Sequence, residues 1–186
     1  MIGTKVGYTG GSKDSPTYRA LGDHAESVEI YYDPAVISYR QLLEIFWKSH
    51  DPGSRPWSRQ YMSAIFYHNE EQRKLAVESM QQEQAGTHAK VYTQISPAGK
   101  FYPAEDYHQK YYLRQRSDLV EQLRKIYPAE TFVDSTAAAR LNGFLAGHGS
   151  FAALQAELGG LLPPEESARL QNMIGAGESL NWKRPR

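Results

Sequence analysis

The hydrophobic period of this chain switches repeatedly between two residues and 3.6, which restricts it to folds that layer helices on strands. Thr4 to Tyr8 reads as a strand already under way, followed by the turn-rich loop Thr9 to Pro16. From His24 to Tyr32, Val28, Ile30 and Tyr32 alternate with Ser27, Glu29 and Tyr31, the pattern of a half-buried strand. Ser38 then opens a helix, with Gln41 three residues on to complete a capping box. Tyr39, Leu42, Leu43, Phe46 and Trp47 form its apolar face. Tyr61 to Tyr67 alternates again, and Asn69 caps a more polar helix that should stop at Gly86. Val91 to Ile95 is a third alternating strand, and Ala104 to about Leu123 reads as one helix.

Beyond Tyr127 the pattern becomes wholly helical. Ala137–Leu141, Phe151–Leu154 and Glu165–Met173 are separated by turns bearing Gly and Pro. This divides the chain into an α/β domain over 1–127 and a helical C-terminal extension over 128–186. The amphipathic faces of the extension are expected to pack on the main body rather than bind a partner.

Composition removes several classes of function. There are 21 Lys+Arg against 21 Asp+Glu, so no bulk charge holds the chain to nucleic acid or an anionic membrane. The only basic cluster is Lys183–Arg186. No stretch approaches the roughly 20 apolar residues of a membrane helix, and no signal peptide is recognisable, so a cytoplasmic protein is expected. Cysteine is absent, which excludes disulfides, thiolate metal sites and a thiol nucleophile within these 186 residues. The six histidines are scattered. His24, near Glu26, and His50, beside Asp51, offer metal-ligand chemistry, but without a paired-histidine spacing structural roles are expected and no metal is assigned. Neither a phosphate loop nor a Gly-x-Ser-x-Gly elbow occurs.

Several short segments stand out in order: Gly7-Tyr-Thr-Gly-Gly11, Pro16-Thr-Tyr-Arg19, Gly22-Asp-His-Ala-Glu26, Tyr32-Asp-Pro34, His50-Asp-Pro52, Gln60-Tyr-Met-Ser-Ala-Ile65 and Tyr102-Pro-Ala-Glu-Asp-Tyr-His-Gln109. Together they resemble the peptide methionine sulfoxide reductases of type A, over residues 2 to about 115. Arg140 to Gly147 further resembles the longer C-terminus of animal members. The resemblance implies a two-layer ferredoxin-like sandwich with a mixed sheet. It also implies reduction of methionine-(S)-sulfoxide, free or in proteins, in repair of oxidative damage, with no metal, flavin or nucleotide. In that chemistry a thiolate attacks the sulfoxide sulfur and an acid protonates its oxygen. The cysteine becomes a sulfenic acid, which a second thiol resolves to a disulfide that thioredoxin reduces.

Carried over by position, Glu26 is the acid, which requires an apolar setting that raises its pKa. Tyr18 and Tyr61 point hydroxyls at the same oxygen, an oxyanion-type arrangement. The family's Gly-Cys-Phe-Trp-Gly nucleophile motif and its resolving cysteines have no counterpart here. Nor does the Gly-Asn-Asp stretch of the loop after His-Asp-Pro, which is only Gly53 to Arg59. The sequence therefore looks like a family member shortened at the front. The shortening predicts an incomplete sheet, with an unusual edge or exposed apolar patch near Val6, and no sulfoxide turnover by the chain as written. The alternative is a non-catalytic isoform, or a module that binds oxidised methionine.

Overall fold

The computed structural model describes residues 2–87 and 90–179. The basic run Lys183–Arg186 lies outside them. Two compact units divide the chain: Val6–Glu105 form one, and Ile2–Lys5 with the residues from Asp106 onward form the other.

The first unit is mixed α/β. Strand β1 (Gly3–Thr9) is the middle strand of a three-stranded sheet, between β2 (Ala25–Tyr31) and β5 (Tyr102–Pro103). It runs antiparallel to β5, with Gly7 opposite Pro103 and Tyr8 opposite Tyr102. Glycine is required at position 7, because a Cβ there would fall 2.4 Å from both the Phe101 ring and the Tyr102 carbonyl oxygen. A second sheet pairs β3 (Ala64–Tyr67) in parallel with β4 (Gln94–Pro97), Ile65 opposite Ile95.

Helix α1 (Tyr39–Lys48) starts as its sequence dictates. The Gln41 N–H donates to Ser38 Oγ at 3.2 Å, and the Gln41 side chain accepts from the Ser38 N–H at 2.9 Å. Helix α2 (Glu70–Thr87) is capped by Asn69, whose Oδ1 accepts from the Gln72 N–H at 2.9 Å. Leu43 and Trp47 of α1, Ile65 of β3 and Ala76 of α2 are the buried centre of this unit, with Tyr39, Phe46 and Ile95 packed around them. The indole N–H of Trp47 donates to Ser79 Oγ at 3.0 Å, so its one polar atom is satisfied inside the core.

The half-buried alternation expected along β2 is not met on its apolar side. Val28 is 55% exposed and Ile30 37% exposed, because that face looks into an open cleft rather than onto a packed layer. The exposed patch therefore falls on β2. Near Val6, where it was expected, β1 instead has a neighbour on each side.

The second unit is helical. The single helix expected from 104 to 123 is a 3₁₀ turn (Asp106–His108), α3 (Tyr111–Arg114) and α4 (Ser117–Ile126). The break has two causes. Lys110 adopts a left-handed φ of 52°, with its buried amine donating to the Thr4 carbonyl at 2.5 Å and to Thr4 Oγ1 at 3.2 Å. The free N–H groups of Tyr112 and Leu113 then donate to Asn142 Oδ1, a cap supplied by a distant helix. Helices α5 (Ala129–Phe132), α6 (Thr136–Leu145), α7 (Phe151–Gly159) and α8 (Pro164–Ser179) follow. Their buried faces close on α3 and α4 around Leu113, Leu119, Leu123, Phe132, Leu141 and Leu170, all within 1% of full burial. Among the described residues no helix is long and apolar enough to cross a membrane.

Candidate functional site

The site is assembled from three loops and the start of one strand, all within the first unit. His24 closes the loop between β1 and β2. Its Nδ1 accepts from the Gly11 N–H at 3.2 Å, so the ring proton sits on Nε2 and is donated to the Lys13 carbonyl at 2.7 Å. Both ring nitrogens are spent on backbone groups and the residue is 1% exposed, so the ring ties the two sides of the loop together. Beside it, the Asp23 carboxylate accepts from the Ser12 N–H and hydroxyl and from the Lys13 N–H. These donors, led by the Ser12 N–H, hold the carboxyl down at about 2.

Tyr18 sits in the turn Thr17–Ala20. Its position is set by Glu105, whose carboxylate accepts the Tyr18 N–H at 3.1 Å on one oxygen and the Tyr8 hydroxyl at 2.6 Å on the other. Glu26 is the second residue of β2, and its N–H donates to the Gln60 carbonyl at 3.0 Å. The Gln60 side chain returns to the same carboxylate, with Nε2 donating to Glu26 Oε1 at 2.5 Å and to the Tyr61 hydroxyl at 3.1 Å. The Tyr61 hydroxyl in turn meets that of Tyr18 at 3.4 Å. Tyr18, Glu26 and Tyr61, from three separate segments, thus join in one hydrogen-bonded cluster.

Electrostatics favour the neutral form of one hydroxyl in the cluster. The hydrogen bond with Tyr18 is the largest cause that pushes the Tyr61 hydroxyl up to about 12. Partial desolvation and the nearby Tyr18 and Glu26 charges add to it, and the Gln60 bond opposes it. The Tyr61 hydroxyl and the Gln60 amide thus stand together beside the Glu26 side chain. The apolar setting expected around Glu26 is not found, because its side chain is exposed. Beyond the Glu26–Gln60 bond a cleft of about 370 Å³ lies between β2, α1 and β3, lined by Glu26 and by apolar groups that include Val28, Ile30, Phe46, Met62 and Phe66.

Sequence reasoning missed Gln60 and Glu105. Both stand inside the quoted motifs, but each acts on a partner distant in sequence. The loop Gly53–Arg59 is also fixed: Arg59 donates from Nε to the Asp23 carbonyl at 2.5 Å and from Nη2 to the Gly10 carbonyl at 2.9 Å. Among the described residues no group of three or more His, Asp or Glu is placed to hold a metal ion.

Fold and cluster define a mixed α/β protein in which two phenol hydroxyls, an amide and the Glu26 carboxyl group join in one hydrogen-bonded cluster. The sequence model described as peptide methionine sulfoxide reductase matches residues 1–140. A peptide methionine sulfoxide reductase of Drosophila melanogaster is 45% identical over 159 residues, covering 84% of this chain and 64% of the relative. The peptide methionine sulfoxide reductase A5 of Oryza sativa subsp. japonica is 47% identical over 152 residues, covering 78% of this chain and 59% of its own length. The chain thus spans about three fifths of these curated relatives. Among solved structures, Mxr1 from Saccharomyces cerevisiae in reduced form has a TM-score of 0.57 at 33% identity, over 61% of this chain and 71% of that one. The methionine sulfoxide reductase A of Corynebacterium diphtheriae has a TM-score of 0.52 at 30% identity, over 61% and 63%. This chain belongs to the peptide methionine sulfoxide reductase family.

Proposed function

We propose that this chain carries the sulfoxide-recognition half of a peptide-methionine (S)-S-oxide reductase, with methionine-(S)-sulfoxide in proteins or peptides as its ligand. The observation that carries this reading is the hydrogen-bonded convergence of Tyr18, Tyr61 and Glu26. A sulfoxide has one strongly polar bond, and its oxygen accepts hydrogen bonds from O–H and N–H donors. Tyr18 and Tyr61 bind that oxygen, Gln60 orients Glu26, and Glu26 serves as the acid of the transfer.

Reduction needs a thiol: sulfoxide plus thiol gives sulfide plus sulfenic acid, and the oxygen ends on the cysteine sulfur. None of the 186 residues is a cysteine, so the groups in the cluster stabilise charge and move protons for a reaction whose nucleophile they do not supply. We read residues 1–127 as the reductase-like domain and 128–186 as its helical extension. The two sheets are read as parts of one mixed sheet of a ferredoxin-like sandwich. The cleft between β2 and β3 supports this, since one added strand there would bridge them and seal Glu26 from water. The reading carries with it repair of oxidised proteins in the cytoplasm, with thioredoxin as reductant once resolving thiols are present. The missing thiol favours a second reading, a non-catalytic module that binds oxidised methionine.

The test is turnover of methionine-(S)-sulfoxide. The purified 186-residue chain is expected to be silent with dithiothreitol and with thioredoxin. Fusing a segment bearing Gly-Cys-Phe-Trp-Gly ahead of Ile2 should create dithiothreitol-dependent activity, with thioredoxin a poor substitute. Glu26→Gln in that fusion should lower the rate strongly and leave the fold intact. Turnover by the unmodified chain would overturn the assignment of roles. A fusion that folds, stays inactive and fails to bind sulfoxide would favour neither reading and would end both.

A further inference from the structure

Trp57 is 82% exposed, although the indole is the largest apolar side chain a protein carries. It is not an isolated surface residue, because its ring lies 4.9 Å from that of Tyr61 at an interplanar angle of 31°. Tyr61 is itself 42% exposed, and Tyr18, 38% exposed, meets it hydroxyl to hydroxyl. Trp57 packs on the Tyr61 ring and Tyr61 meets Tyr18 through the hydroxyls, so the polar cluster and the indole flank one phenol ring. The arrangement is held in place: Pro56 restricts the backbone before Trp57, and two residues on Arg59 is tied to the Asp23 and Gly10 carbonyls.

The span of this arrangement selects its ligand. A group bound at the Tyr18 and Tyr61 hydroxyls lies beyond one phenol ring from Trp57. A peptide advances about 3.3 Å per residue when extended, so Trp57 stands one to two residues away from a methionine sulfoxide seated at the cluster. Free methionine sulfoxide has no second apolar side chain to offer Trp57 while its sulfoxide sits at the cluster. We propose that Trp57 is a flank-binding residue, which receives an apolar side chain next to methionine sulfoxide in a peptide and makes the chain prefer oxidised methionine within apolar sequence. This rests on the sulfoxide-recognition reading above and adds the substrate class to it.

The test is calorimetric titration of the whole 186-residue chain, which needs binding but no turnover. The probes are free L-methionine-(S)-sulfoxide and two blocked pentapeptides with central methionine-(S)-sulfoxide, one flanked by Leu and one by Ser. The wild-type chain should bind the Leu-flanked peptide best. Trp57→Ala should weaken that peptide by about five- to tenfold, the worth of one aromatic contact, and leave the free amino acid within about twofold. Trp57→Phe should restore most of the loss, and Tyr61→Phe should weaken all three ligands. Equal weakening of every ligand by Trp57→Ala would overturn the flank assignment, as would no weakening of any. If no ligand binds the wild-type chain while circular dichroism shows it folded, the recognition reading fails and this inference fails with it. Loss of binding on Tyr61→Phe but not on Trp57→Ala would remove the flank role alone.

Discussion

Replacing His24 by Leu should be costly out of proportion to the volume changed. The imidazole is 1% exposed and joins the Gly11 N–H to the Lys13 carbonyl, so the substitution strands one donor and one acceptor. Each stranded group costs about 1–3 kcal/mol when water cannot reach it, and the lower end applies here because Ser12 and Lys13 are exposed. The edge-on contact with Tyr102, at 5.4 Å between centroids, is worth about 0.5–1.5 kcal/mol more. Burial of the leucine methyls returns about 1 kcal/mol. The loop cannot relax cheaply, because the Gly11 backbone is so close to Asp23 and His24 that even a Cβ would lie 2.6 Å from the His24 nitrogen. A net loss of about 1.5–2.5 kcal/mol follows, a large part of the ~5–15 kcal/mol that holds a domain of this kind. Urea denaturation followed by circular dichroism measures it, and amide exchange at Gly11 and Ser12 should accelerate in parallel. Since β2 begins immediately after His24, affinity for a sulfoxide peptide should fall as Glu26 loses its fixed register. A loss below about 0.5 kcal/mol, or unchanged exchange at Gly11, would refute the reasoning.

Three further outcomes follow from the same geometry. The Asp23 carboxyl is lowered from 3.8 to about 2, so its stabilisation is present above pH 3.8 and is lost as pH falls toward 2; Asp23→Asn should remove that part of the acid slope in urea melts between pH 5 and 2. Burial pushes the Lys110 amine down from 10.5 to about 8, so the unfolded chain binds more protons in between and stability should rise with pH across that window; Lys110→Met should flatten the rise. Val28→Thr with Ile30→Lys on the open face of β2 should reduce self-association in analytical ultracentrifugation with little loss in melting temperature, whereas the wild-type chain should aggregate more readily.

What the sequence determined by itself was whatever depends on neighbours a few residues apart. The Ser38–Gln41 capping box and the Asn69 cap are contacts across three positions, and residue type alone specifies them. The β-α-β-α order was legible for the same reason, since hydrophobic period is local. Motif order singled out Tyr18, Glu26 and Tyr61 as candidates, but residue type did not, because exposed Tyr and Glu occur on any surface. Only the tertiary structure decided what each of them meets. Gln60 reaches Glu26 across 34 positions, Tyr61 reaches Tyr18 across 43, and Glu105 fixes Tyr18 across 87. Likewise Asn142 caps Tyr112 from 30 positions away and so breaks the helix that local propensity favours. The alternation along β2 announced an apolar face but could not say what covers it. Covering is a property of the elements that approach in space, and here α1 and β3 leave an open cleft over that face.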